Sequence, residues 1–141
     1  MFDEQANTLV LRENTSDFCE WFLQEPLIYH GRYDTFEVDA GFETDLASVP
    51  RIFWSVLPPF GRYAKAAVVH DWLYVYQPAV LSPGKGYVRI TRAQADGIFR
   101  RIMEEAGVDF ITRWTMYGAV RIGGGSYWKE QEERLKRERG S

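Results

Sequence analysis

A chain of 141 residues with 45% apolar and 16% aromatic side chains can build one compact domain with a sizeable core, which excludes disorder over most of its length. The net charge of −3 divides unevenly: residues 1–50 hold two arginines against eleven acids, and residues 51–141 hold fifteen bases against nine acids, a split of −9 and +6 that favours association of the two parts over general nucleic-acid binding. No run approaches the eighteen or so apolar residues that span a bilayer, and the acidic, polar start MFDEQANTLV is unlike a secretion signal, so synthesis in a cytoplasm and no transmembrane segment are expected.

Residues 8–47 read as strands, in the segments TLVLRE, DFCEWFLQEPLIYHG and YDTFEVDAGFETD. Phe36, Val38 and Ala40 alternate with polar neighbours, and Gly31 and Gly41 are turn signals. Pro26 argues for an edge or a bulge. Cys19, the single cysteine, excludes an internal disulfide and any multi-cysteine metal site.

After Asp45 the pattern changes: Ser48 as a cap and Pro50 at a first helical position predict a short helix that Pro58-Pro59 and Gly61 end. Residues 62–76 predict a buried helix, and 78–90, with two prolines and two glycines, a loop. Thr91 caps a predicted helix over 92–106 whose Ala95, Ile98, Phe99, Ile102 and Ala106 form an apolar stripe before Gly107. A further helix is expected over about 109–122, with Phe110, Trp114, Tyr117 and Gly118 on one face and Gly123-Gly124-Gly125 ending it. Most of the aromatic residues, Trp114 and Tyr117 among them, are expected in the core.

The tail KEQEERLKRER has acid-first i,i+4 pairs and no apolar face beyond Leu135, which predicts a solvated helix. The whole reads as an α+β domain over residues 1–125, a small antiparallel sheet packed against three or four helices, with a charged helical tail over 126–141.

The stretch AVVHDWLY places His70 beside Asp71 in an apolar run. On a helix both residues lie one turn before Tyr74, so imidazole, carboxylate and phenol can meet one ligand. That set suits a cation-bound water, with Asp71 as oxygen ligand, His70 as general base and Tyr74 as orienting donor. It equally suits a buried structural pair, in which the imidazole bonds a neighbour and the carboxylate meets an arginine.

HDWLY is similar to the HDxCY segment of secreted phospholipases A2, in which the histidine activates water and the aspartate binds calcium. The similarity covers five residues, and the dense disulfide framework of those enzymes has no counterpart in a chain with one cysteine.

In GFETDLASVPR, Asp45 is either a metal ligand or, with Ser48, a helix cap. Arg92 and Asp96 share a helix face, and Arg121 on the following helix needs a carboxylate, for which Asp71 and Asp96 are the candidates. His30, before Gly31, is expected to be exposed.

The segments GFETDLASVPR, PPFGRYAKAAVVHDWLY, RAQADGIF and MYGAVRIGG, in this order over roughly residues 25–125, resemble a family of small bacteriophage and prophage proteins of unknown function. The resemblance implies a phage protein of the late region, made in the host cytoplasm and associated with the virion. Its recurring polar positions fall on Thr44, Asp45, Ser48, Arg51, His70, Asp71, Asp96 and Arg121.

Two readings follow. In one, these residues tie sheet to helices in a virion or assembly protein whose partners are other phage structural proteins or copies of itself. In the other, the protein is a hydrolase of a host-envelope component, peptidoglycan or phospholipid. That hydrolase uses His70, Asp71, Asp45 and Tyr74, with Asp71, Asp45 and Asp96 offering an oxygen-rich site for calcium, magnesium or manganese rather than zinc. The arginines that accompany the acids favour the first.

Overall fold

A computed structural model describes residues 11–13, 21–32, 34–44 and 60–140 of the chain. The fold is α+β. Five short strands come first, β1 (Leu11–Glu13), β2 (Trp21–Leu23), β3 (Leu27–His30), β4 (Thr35–Val38) and β5 (Glu43–Thr44), followed by helix α1 (Phe60–Tyr76). A hairpin of β6 (Ala79–Ser82) and β7 (Gly86–Arg89) leads to helices α2 (Arg92–Glu105), α3 (Phe110–Gly123) and α4 (Gly125–Gly140).

The expected single N-terminal sheet is divided. Among the described residues β1, β2 and β5 form one antiparallel sheet in the order β1-β2-β5, and β3 and β4 pair separately with Tyr29 opposite Phe36. Pro26, which lacks an N–H for a ladder, stands between β2 and β3. Alternation holds in β4, where Phe36 and Val38 point inward and Thr35 and Glu37 outward, but it stops before the exposed Ala40 at the Gly41 turn. There Gly41 takes φ +91°, a left-handed conformation that glycine enters without steric cost.

Residues 78–90 correct the expectation of a loop. Ser82-Pro83-Gly84-Lys85 is a turn with proline second and glycine third, Gly84 at φ +79°, and Lys85 N–H closing on the Ser82 carbonyl at 2.9 Å. The two prolines and two glycines thus punctuate a hairpin, in which Val80 pairs with Val88.

Helix α1 is the centre of the molecule: Ala66, Ala67, Val68, Val69 and Leu73 are buried, against Leu23, Leu27 and Val38 of the strands and Ala95, Phe99, Ile102 and Met103 of α2. It ends at Gln77, whose φ of +43° occupies the position glycine usually takes beyond a helix end. The buried Gln77 side chain donates to the Trp128 carbonyl at 3.0 Å and accepts from Arg89, tying α1 to the hairpin and to α4.

Helix α2 starts in a capping box, with the Thr91 hydroxyl accepting from Gln94 N–H and the Gln94 side chain accepting from Thr91 N–H. It ends at Gly107, φ +84°, with Val108 N–H bonded back to the Met103 carbonyl. The Asp109 carboxylate caps α3. Tyr29 of β3 donates to Glu105 of α2 at 2.9 Å, a further tie between strands and helices.

Two expectations about the last helices change. On α3 the buried residues are Met116 and Val120, whereas Trp114, expected in the core, is 41% exposed. No residue of α4 is buried, as its polar composition requires, yet the helix is not surrounded by water: the Arg134 guanidinium donates to the Val75 carbonyl at 2.7 Å, and Trp128 meets Tyr74 edge-on with centroids 5.0 Å apart. No described helix is long and apolar enough to cross a membrane.

Candidate functional site

Asp96, on the second turn of α2, is completely buried, and three side chains from two other helices converge on it. From α1, the His70 Nε2 lies 2.7 Å and the Tyr74 hydroxyl 2.6 Å from Oδ1. From α3, Arg121 donates to Oδ2 at 2.9 Å, and Arg92 on α2 stands 3.7 Å from the same oxygen. The spacing of four residues puts His70 and Tyr74 on one face of α1, and their rings lie 4.5 Å apart. Phe99, one turn beyond Asp96, covers the imidazole at 4.6 Å.

Burial alone would raise the Asp96 carboxyl. The bonds from His70 and Tyr74, and then the one from Arg121, outweigh it and leave the group below its ordinary value, so it is an ionised acceptor. Burial lowers His70 more than its hydrogen bond to Asp96 raises it, so the imidazole is neutral near pH 7. Burial, and then the bond to Asp96, raises Tyr74, which stays a donor.

The 2.7 Å contact between Nε2 and Asp96 assigns the tautomer. An ionised carboxylate only accepts, so Nε2 of His70 carries the proton, and the neutral ring has a bare lone pair on Nδ1. That Nδ1 is buried and has no hydrogen-bond partner among the described residues. A buried acceptor left without a bond costs roughly 1–3 kcal/mol.

Asp71 is also buried, 7% exposed, and its Oδ1 accepts from the Tyr127 hydroxyl of α4 at 3.2 Å. Of the two carboxylates open to Arg121, Asp96 therefore takes it. Tyr127, not anticipated as a site residue, stacks on Tyr74 with centroids 6.0 Å apart. The sequence signal for it is the aromatic pair Tyr127-Trp128, one residue after the glycine triplet. Gly124 closes the arrangement: a methyl group there would stand 2.6 Å from the Tyr74 hydroxyl.

The structure thus brings His70, Tyr74, Asp96 and Arg121 together, with Asp71 adjacent through Tyr127. Thr44 is buried on β5. Asp45, Ser48 and Arg51, and the short helix expected after Asp45, lie outside the described residues. His30 is exposed, with Nδ1 3.0 Å from the Thr35 hydroxyl.

Both oxygens of Asp96, expected among the cation ligands, receive donors, one of them cationic. Among the described residues no group of three or more His, Cys, Asp and Glu side chains is arranged around a common point for a metal. Asp71 is the other candidate among them. A cavity of about 450 Å³ lies on the opposite face of α2, lined by residues that include Tyr29, Arg32, Gln94 and Arg101, and shares no residue with the His70 cluster.

The chain belongs to the family described as Protein of unknown function (DUF1353), whose model matches residues 21–120. That span contains β2 through most of α3, and with them His70, Asp71, Tyr74 and Asp96. No curated protein and no solved structure matches the chain.

Proposed function

We propose that the protein is a bacteriophage-encoded hydrolase of the host envelope, in which neutral His70 takes the proton of a water molecule through Nδ1. The observation that carries this reading is a buried Nδ1 without a partner among the described residues, on a histidine whose other nitrogen is bound to a buried carboxylate. Asp96 acts as a positioning residue: it fixes the ring and the tautomer and stabilises the imidazolium formed on proton uptake. Tyr74 and Arg121 hold Asp96 in turn and keep it ionised.

The water oxygen forms a bond to an acyl carbon, its proton passes to Nδ1, and the same proton leaves with the alcohol as the ester bond breaks. A divalent cation bound through Asp71 would stabilise the charge that develops on the acyl oxygen. Calcium, magnesium or manganese suits such an oxygen ligand better than zinc. The likeness of HDWLY to the active segment of secreted phospholipases A2 makes a phospholipid ester the preferred substrate and peptidoglycan the second. The motif-level resemblance to phage and prophage proteins supports the phage origin and synthesis in the host cytoplasm.

A second reading is a virion or assembly protein bound to other phage structural proteins or to itself. It is favoured by the closure of the cluster, since His70 and Asp96 are only 2% and 0% exposed and Arg121 offsets the charge. The two separate on one assay: fatty-acid release from phospholipid vesicles, and fragment release from peptidoglycan, with calcium or with EDTA. His70→Gln keeps a donor for Asp96 but has no base, and should lower the rate by about 10²-fold or more. Absence of turnover on both substrates, or equal rates in the variant, contradicts the hydrolase and leaves the assembly reading.

A further inference from the structure

Apart from the buried Met116 and Val120, helix α3 carries its large apolar residues in two adjacent outer rows, with Phe110, Ile111, Trp114 and Ile122 exposed and Tyr117 half-buried. Phe110, Trp114 and Tyr117 follow one row at i, i+4 and i+7, with ring centroids 6.0 and 5.5 Å apart. Ile111 and Ile122 lie on the neighbouring row at 76% and 90% exposure, with Gly118 between them, and Phe110 is 66% exposed. A contiguous exposed apolar face of this kind marks a docking surface, unlike single exposed residues.

Basic side chains predominate along it. Helix α3 contains Arg113 and Arg121 and no acid. Arg113 lies over the Phe110 ring at 5.6 Å, and Arg100 of α2 lies over Trp114 at 4.6 Å. Asp109, at the start of the helix, caps it and keeps its negative charge at that end of the face. Exposed isoleucines beside a tryptophan, with guanidinium groups at the border, match the boundary between acyl chains and anionic headgroups of a bilayer.

We infer that this face of α3 seats the protein on the surface of an anionic lipid bilayer. The inference rests on the hydrolase reading for its purpose, because it carries the protein to an insoluble substrate. Position agrees: Ile122 stands two residues before Gly124, which closes on the Tyr74 hydroxyl, and Arg121 beside it holds Asp96.

The test is co-sedimentation of the full chain with phosphatidylglycerol vesicles and with phosphatidylcholine vesicles, at low and high salt, beside the oligomeric state by light scattering. Wild type should bind phosphatidylglycerol vesicles, less so at high salt, and phosphatidylcholine vesicles weakly. The double variant Ile111→Asp, Ile122→Asp, altered only at exposed positions and checked by circular dichroism, should lose affinity about tenfold or more. His70→Gln should bind as wild type does. Failure to bind anionic vesicles, unchanged binding by the double variant, or a wild-type dimer that the double variant disperses without any vesicle binding overturns the inference. Binding without hydrolysis leaves it standing and removes the hydrolase, whereas turnover of a soluble ester without vesicle binding does the reverse.

Discussion

Replacing Asp96 by alanine removes the acceptor on which three helices converge, and the cost can be followed donor by donor. The Nε2–H of His70 at 2.7 Å and the hydroxyl of Tyr74 at 2.6 Å both belong to side chains only 2% exposed, so neither finds water in the variant. Each stranded donor costs about 1–3 kcal/mol. Arg121 is 34% exposed and can turn to solvent, so its ion pair adds little. Asp96→Ala should therefore destabilise the protein by about 2–5 kcal/mol. Asp96→Asn keeps one acceptor oxygen of the same shape but turns an N–H₂ toward other donors, and about 1–3 kcal/mol is expected. Urea denaturation followed by tryptophan fluorescence, with both variants showing the wild-type slope, measures the two values. If both variants fall within about 0.5 kcal/mol of wild type, the range of an ordinary surface change, then Asp96 does not organise this cluster.

Tyr74→Phe removes one of the three donors while Asp96 keeps His70 and Arg121, so a loss of about 1 kcal/mol is expected in the same denaturation assay, and a loss as large as that of Asp96→Ala contradicts the shared-acceptor geometry. Gly124→Ala puts a methyl group 2.6 Å from both the Tyr74 hydroxyl and the Val120 carbonyl, and should destabilise by about 1–3 kcal/mol; an unchanged or raised melting temperature refutes the close approach. Acid should also weaken the fold. His70 is held below its unfolded value, so under about pH 6.5 the unfolded chain binds the extra proton and stability falls by up to about 1.4 kcal/mol per pH unit, until the folded His70 itself titrates. Asp96, also held low, adds a second loss below about pH 3.9. Denaturation midpoints of wild type and His70→Gln over this range check it, because the first window should be absent from the variant.

Much of the helical part was legible because its signals are local. Thr91, Gln94 and Gly107 bound α2 within a residue of the expected limits, and the apolar run around Val68 identifies a buried α1. The hairpin of β6 and β7 was misread because proline and glycine mark a turn without saying whether its flanks pair, and pairing is a contact between separate segments. The same limit explains Trp114: its row of apolar residues on α3 is real, but only the docked helices show that Met116 and Val120, on another face, fill the core. In the site, the pairing of Arg121 with Asp96 rather than Asp71 depends on which carboxylate α3 passes over, and Tyr127 reaches Asp71 only because α4 folds back on α1. The spacing of His70 and Tyr74, by contrast, is a property of one helix, and the sequence places both on the same ridge.

The state of the His70 ring is the point on which the functional account turns, and nitrogen NMR reads it directly. With imidazole ¹⁵N labelling and long-range proton–nitrogen correlation at pH 7, His70 should show a protonated Nε2 and an unprotonated Nδ1, with Asp96→Ala disturbing that pattern. A proton on Nδ1 with Nε2 bare, or both nitrogens protonated at that pH, would contradict an imidazole held by Asp96 as a base.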